Sequence, residues 1–183
     1  MAPDTLSLEG KVAIITGSGR ENGIGAGIAA ALARNGAKVV INYISEATAS
    51  RAAEVVKRIE AAGGRAVAVQ ADVSSLEGAK RLVDETLEAF HTEKVDILVN
   101  NAGFYKPATV LDVTKEVLDR HFGVMVYGPV FLMQAAVPYM PRGGRVVNVG
   151  SGASKLGNPQ AQFYSGAKAA MDAITYAASM QVS

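Results

Sequence analysis

The sequence predicts an α/β fold built on a doubly wound parallel β-sheet. Three observations carry this. Short Val/Ile-rich runs alternate with longer segments of helical periodicity, the pattern of repeated strand–helix units with right-handed crossovers. The runs lack strict apolar–polar alternation, as strands buried on both faces do. Glycines stand just past the helical segments, where a left-handed cap is expected.

The elements follow in order. A first strand is expected over Val12–Thr16, then a glycine-rich turn and a helix over Ile24–Asn35 whose apolar stripe is Ile24, Ile28 and Leu32. Gly36 ends that helix before a second strand, Val39–Tyr43. A helix over Ala47–Ala62 closes at Gly63-Gly64, and the third strand is Ala66–Gln70. The next helix, Leu76–Phe90, places Leu82, Val83, Leu87 and Phe90 on one face, and leads to a fourth strand at Ile97–Asn100. A long helix over Lys115–Tyr139, a fifth strand over Arg145–Val149 and a helix from about Gln162 to Met180 complete the chain. With no internal repeat, low-complexity segment or linker, residues 1–183 are read as one domain;.

Composition narrows the function. Hydrophobic residues make up 49% of the 183 and charged residues 19%, as in a globular chain;. The net charge of +1 and the lack of a basic run argue against nucleic acid or an anionic membrane as partner;. The absence of cysteine removes disulfides and thiolate chemistry and fits a reducing, cytoplasmic location;. Met1 to Gly10 carries Asp4 and Glu9 and no apolar run, so no secretory leader is expected;. No stretch is read as long and apolar enough to span a membrane. His91 and His121 stand far apart without clustered ligands, so no metal site is expected;.

Tyr164-Ser165-Gly166-Ala167-Lys168 is the most informative stretch. Side chains four apart share a helix face, and an ammonium nearby favours a tyrosinate. Such a phenol suits proton exchange with a carbonyl/alcohol pair. The first strand runs into Thr16-Gly17-Ser18-Gly19-Arg20-Glu21-Asn22-Gly23-Ile24-Gly25. Here Gly17, Ser18, Gly23, Ile24 and Gly25 are candidates to cradle a dinucleotide pyrophosphate at a helix N-terminus. An acidic residue at the tip of the second strand would bind the ribose hydroxyls of NAD. Asn42 is neutral and Arg20, within the turn, is in reach of a 2′-phosphate, which together lean toward NADP over NAD; Arg20 as a solvated loop charge is the alternative. Asp72-Val73 and Asn100-Asn101-Ala102-Gly103 follow the third and fourth strands, where open α/β sheets bind ligands. The alternatives are a helix N-terminal cap near Ser74 for Asp72 and a plain turn for the asparagines, which suits one Asn better than this string.

With the glycine-rich turn, Asp72-Val73, Asn100-Asn101-Ala102-Gly103, Ser151 and Tyr164-x-x-x-Lys168 in this order over nearly its whole length, the chain resembles the short-chain dehydrogenase/reductase family. Within it the chain is most similar to 3-oxoacyl-acyl-carrier-protein reductases and to polyhydroxynaphthalene and versicolorin reductases. The resemblance implies a Rossmann-type sheet of order 3-2-1-4-5 and NADP as cofactor. Tyr164 would donate a proton to a small-molecule carbonyl substrate. Lys168 would assist Tyr164 and bind the nicotinamide ribose, and Ser151 would hold the substrate oxygen; Ser151 as a turn residue in Gly150-Ser151-Gly152 is the alternative. Asp72, Val73, Asn100, Ala102 and Gly103 would join the cofactor site. By analogy alone, the helices at Lys115–Tyr139 and Gln162–Met180 imply a homodimer or homotetramer.

Three features depart from the family pattern. Glu21-Asn22 lengthen the phosphate turn. That spacing resembles the divergent enoyl reductases, yet those separate Tyr and Lys by more than three residues, which favours a carbonyl reductase here. An inward Glu21 would repel phosphate. Met125 stands where the family has a catalytic asparagine; its thioether donates no hydrogen bond, though it fills a core well. Sixth and seventh strands have no counterpart before Ser183. The expectation is an uncovered fifth strand, low stability and lost substrate specificity, with a catalytically impaired nucleotide-binding or dimerising fragment as the alternative function.

Overall fold

The computed structural model describes residues 7–181. The reading of Met1 to Gly10 as lacking a leader falls largely outside them.

Five parallel strands form one sheet in the order β3-β2-β1-β4-β5. They are β1 (Val12–Ile15), β2 (Lys38–Tyr43), β3 (Arg65–Gln70), β4 (Ile97–Asn100) and β5 (Arg145–Asn148). The helices between them are α1 (Ile24–Arg34), α2 (Ala49–Ala61), α3 (Leu76–Phe90), α4 (Lys115–Phe122) and α5 (Gly128–Ala136), and α6 (Gln162–Ser179) follows β5. The expected order and element types are all present, with ends displaced by a residue or two.

Period-two alternation splits the sheet residues between two cores. Val12, Ile14, Val40 and Leu98 pack with Leu82, Val83 and Phe90 of α3 and Leu132 of α5. Ala13, Ile15, Val39 and Ile41 pack with α1 and α2. The face of α1 differs from the expectation. Ile24 is 71% exposed, and Ala26, Ala29 and Ala33 are buried against the sheet. Ile28 and Leu32 lie only partly buried at the flank. Small side chains bring this helix close to the strands, a preference that a stripe of large apolar residues does not reveal. Gly36 and Gly63 adopt the left-handed caps expected of them, and α3 ends instead on His91 at φ 48°.

The long helix is continuous but not uniform: a π-helical turn, Gly123–Tyr127, joins α4 to α5. Its span is also more apolar than the sequence reading allowed. Lys115–Tyr139 is long and apolar enough, by length and composition, to cross a membrane, which corrects the expectation that no stretch is. The charges of its first turns, Lys115, Glu116, Asp119 and Arg120, mask an apolar second half. That half packs on the core through Leu132 and Ala136, and Met125 and Val126 meet Ala167 of α6.

Parallel strands put the carboxyl ends of β1, β4 and β5 at one edge, and the turns that follow them form the site. Among the described residues β5 pairs with β4 alone, and Val147 is 48% exposed on it.

Candidate active site

The turn after β1 is held by its neighbours. Thr16, buried, accepts hydrogen bonds at Oγ1 from the backbone N–H groups of Asn101 (3.0 Å) and Ala102 (2.9 Å). Asn101 donates its amide to the Thr16 carbonyl at 2.8 Å. Gly17 has φ +60°, and a Cβ there would lie 2.8 Å from Ala102 Cα. A Cβ on Gly25 would lie 2.6 Å from Asn101 Nδ2. Both glycines are therefore required by the contact between the β1 and β4 turns, before any ligand is considered. α1 begins at Gly23 with no side-chain cap and no acidic residue in its first turn. Its first N–H groups and the positive end of its dipole suit an anion, so the residues present fit a dinucleotide pyrophosphate.

Ser18 and Asn42 are placed differently from the other turn candidates. Ser18 is wholly buried, and its hydroxyl donates to the Ile15 carbonyl and accepts from the Asn42 N–H. Asn42, 2% exposed, accepts from Gly17 N–H at 3.1 Å and donates to the Ala71 carbonyl at 3.0 Å. Its side chain braces the turn from beneath. Tyr43, which the sequence reading passed over, borders the turn instead: a Cβ on Gly19 would meet Tyr43 Cβ at 3.0 Å. Arg20 is exposed. Glu21 does not stand inward against a phosphate, because it pairs with Arg51 of α2 at 2.9 Å. The hydrogen bond from Arg51, helped by Glu21's own backbone N–H, holds that carboxyl below the usual carboxylate range.

After β3, Asp72 Oδ1 accepts from the Ser74 N–H and hydroxyl at 3.0 and 2.7 Å, and Ser75 is the N-cap of α3. The local turn reading of Asp72 is thus satisfied, with the carboxylate still exposed at the sheet edge. Val73 is buried in the α3 core. Ala102 packs partly on that core, and Gly103 is unconfined.

A chain of polar side chains joins α6 to the sheet. Asn100 donates to Asn148 at 2.7 Å, Asn148 to Thr175 at 2.9 Å, and Thr175 to the Met171 carbonyl at 2.6 Å. Asn100 Oδ1 is buried without a partner in the structure. One turn before Met171, Lys168 is 7% exposed and its ammonium donates to the carbonyl of Val149, just past β5. Burial pushes the Lys168 amine below the ordinary lysine range, and the Asp172 carboxylate pulls it partly back. Tyr164 lies on the same face, with Lys168 Nζ 6.0 Å from its ring centre. Ser151 precedes a 3-10 turn, Gly152–Ser154, and its hydroxyl accepts from Ala153 N–H at 3.2 Å; it has the local turn role and lies at the same sheet edge. Met125 is 1% exposed in the π-helical turn and packs with Ala167 and Tyr164.

Two aromatic residues that the sequence reading did not single out complete the neighbourhood. Phe104 sits between Arg120, 4.5 Å from its ring centre, and His121, edge-on at 4.9 Å. Tyr105 meets Tyr164 edge-on at 5.7 Å. Their signal was their position, immediately after Asn100-Asn101-Ala102-Gly103.

A family model described as Enoyl-(Acyl carrier protein) reductase matches residues 17–183. A versicolorin reductase of Emericella nidulans is 41% identical over 170 residues, covering 92% of this chain and 62% of its own length. A hydroxynaphthalene reductase of Aspergillus fumigatus is 41% identical over 170 residues, covering 93% and 60%. A short chain dehydrogenase from Burkholderia cenocepacia, solved in complex with NADP, superposes with TM-score 0.84 at 40% identity, over 91% of this chain and 66% of that one. The chain spans between 60% and 65% of the length of the curated relatives it matches.

Proposed function

The chain belongs to the short-chain dehydrogenase/reductase family, and we propose that it is an NADP-dependent oxidoreductase that reduces a ketone to an alcohol. The observation that carries this reading is the Tyr164–Lys168 pair on one face of α6, with Lys168 fixed to the end of β5 beside the β1 and β4 turns.

NADPH supplies the hydride; the protein supplies place and proton. The uncapped start of α1, with Gly17, Gly23, Ile24 and Gly25, holds the pyrophosphate. Arg20 is free to turn toward the 2′-phosphate. Ser18 and Asn42 contribute by fixing the shape of the turn, not by touching the cofactor with their side chains. Asp72, Val73, Asn100, Ala102 and Gly103 border the cofactor from the ends of β3 and β4. Tyr164 gives its hydroxyl proton to the carbonyl oxygen as that oxygen gains charge. Lys168 holds positive charge beside the phenol and offers N–H donors to the ribose. The Ser151 hydroxyl, which accepts from Ala153 N–H, keeps its own proton to donate to the substrate oxygen. The names of the relatives, versicolorin and hydroxynaphthalene reductases, point to a polyketide-like or acyl ketone. A homodimer through the outer faces of α4, α5 and α6, in the cytoplasm, completes the reading.

A second reading has Met125 behind it. A buried thioether stands beside Tyr164, where a hydrogen-bonding group would connect the Lys168 side to solvent, and this favours a nucleotide-binding or dimerising protein of low turnover. One titration separates the two. NADPH and NADH are titrated by fluorescence, and an activated ketone is then added. The reductase reading expects NADPH to bind more tightly and to be oxidised. It also expects Arg20→Ala to lose about tenfold in NADPH affinity, one charged hydrogen bond, with NADH unchanged. Binding without oxidation supports the second reading.

A further inference from the structure

We propose that Asp172 is a positioning residue: by clasping Lys155 it holds the turn that carries Ser151 against α6, the helix that bears Tyr164. The inference rests on the reductase reading above. No residue from 150 to 160 is buried, so core packing does not fix this turn. Its internal hydrogen bonds shape it without placing it. Ser154 N–H donates to the Ser151 carbonyl at 3.1 Å, and Lys155 N–H to the Gly152 carbonyl at 3.0 Å. Placement comes from α6. Thr175 accepts from Asn148 at 2.9 Å, Lys168 donates to the Val149 carbonyl, and Asp172 pairs with Lys155 at 3.2 Å. Positions 168, 172 and 175 are four and three apart and share one helix face.

The first two attachments fasten the chain before Ser151, and Asp172 fastens it after. Ser151 is thus spanned between two grips on the same helix. Asp172 also approaches the near end of the turn, since a Cβ on Gly150 would lie 3.6 Å from its Oδ1. The Ser154 hydroxyl and the Lys155 ammonium hold the Asp172 carboxyl below the usual carboxylate range, so it stays charged at neutral pH. A rival role for Asp172 is its pull on the charge of Lys168, one turn away. Lys155 separates the two roles. It is exposed, and Lys155→Met opens the clasp while leaving the Asp172 carboxylate beside Lys168.

The test measures kcat and KM for an activated ketone, with NADPH affinity alongside, in wild type, Asp172→Asn and Lys155→Met, each with and without Ser151→Ala. Both single variants are expected to lose about three- to tenfold in kcat/KM through misplacement of Ser151, with NADPH affinity unchanged. In the Ser151→Ala background neither loses more than about twofold, because the residue they place is gone. Amide hydrogen exchange at Ala153, Ser154 and Lys155 is expected to quicken about two- to fivefold in both variants, the scale of one partly exposed ion pair, with α6 unchanged. The proposal is overturned by a full additional loss in the Ser151→Ala background, by a loss in Asp172→Asn that Lys155→Met does not share, by no loss in either, or by unchanged exchange in the turn. A wild-type chain that oxidises no NADPH would sink the reductase reading separately, and the exchange measurement still decides whether the clasp holds the turn.

Discussion

Lys168 carries its amine into a nearly dry position, and the cost of that burial has a sign that can be measured. Its pKa in the folded chain lies below the ordinary lysine value because desolvation disfavours the charged form, with Asp172 opposing. Unfolded, the lysine keeps its proton to about pH 10.4. Between the folded and unfolded values the unfolded chain binds more protons, so this residue makes stability rise with pH across that window. The difference in unfolding free energy between wild type and Lys168→Met is therefore expected to shift in favour of wild type from neutral toward pH 10. Urea titrations at several pH values test this; a pH-independent difference contradicts it. Asn42 is a second residue-scale lesson. Its neutrality was legible and leaned the cofactor toward NADP, but a side chain's direction at a strand end is set by pleat and neighbours. Here the amide is used by Gly17 and Ala71.

At the scale of elements, glycines that look alike in sequence divide sharply. A Cβ on Gly78, in the first turn of α3, would lie 1.9 Å from the Asp72 carbonyl oxygen, whereas one on Gly27 of α1 meets nothing within 4 Å. Alanine is favoured over glycine in helices by about 1 kcal/mol, and overpacking costs about 1–3 kcal/mol. Gly27→Ala is expected to stabilise by about 0.5–1 kcal/mol, and Gly78→Ala to destabilise because the backbone clash outweighs the propensity gain. Thermal denaturation of the two variants decides it. The Asn148–Thr175 bond gives another expectation: Thr175→Val loses about 1 kcal/mol by freeing α6 from β5.

The five strands and the course of the long helices were legible, because buried Val/Ile runs and glycine caps are local signals, whereas the division of Lys115–Tyr139 into α4 and α5 was not. What was not legible depends on packing between elements. Ala26, Ala29 and Ala33 face the sheet because small residues permit close approach. His91 adopts a left-handed cap without glycine. The π-helical turn at Gly123–Tyr127 and the Phe104–Tyr105 contacts arise only once α4 and α6 are in place. In the site, the order of the Tyr–Lys, asparagine and glycine motifs was readable. Which turn residues spend their side chains on the protein itself was not.

For the molecule as a whole, the outer faces of α5 and α6 bear directly on assembly. Tyr127, in the π-helical turn before α5, is 54% exposed, Tyr176 of α6 69% and Met180, just past α6, 66%. If these helices form a homodimer, Tyr176→Asp is expected to shift the chain to monomer in analytical ultracentrifugation, while an unchanged sedimentation coefficient contradicts that interface. The central claim is that α6 delivers a proton to a ketone through Tyr164. Its most direct test compares NADPH oxidation by an activated ketone in wild type and Tyr164→Phe, with NADPH affinity measured for both. The account predicts equal NADPH affinity and a rate at least about a hundredfold lower in the variant, the scale of general-acid catalysis. Equal rates in the two proteins, or no ketone-dependent oxidation by wild type that binds NADPH, would contradict it.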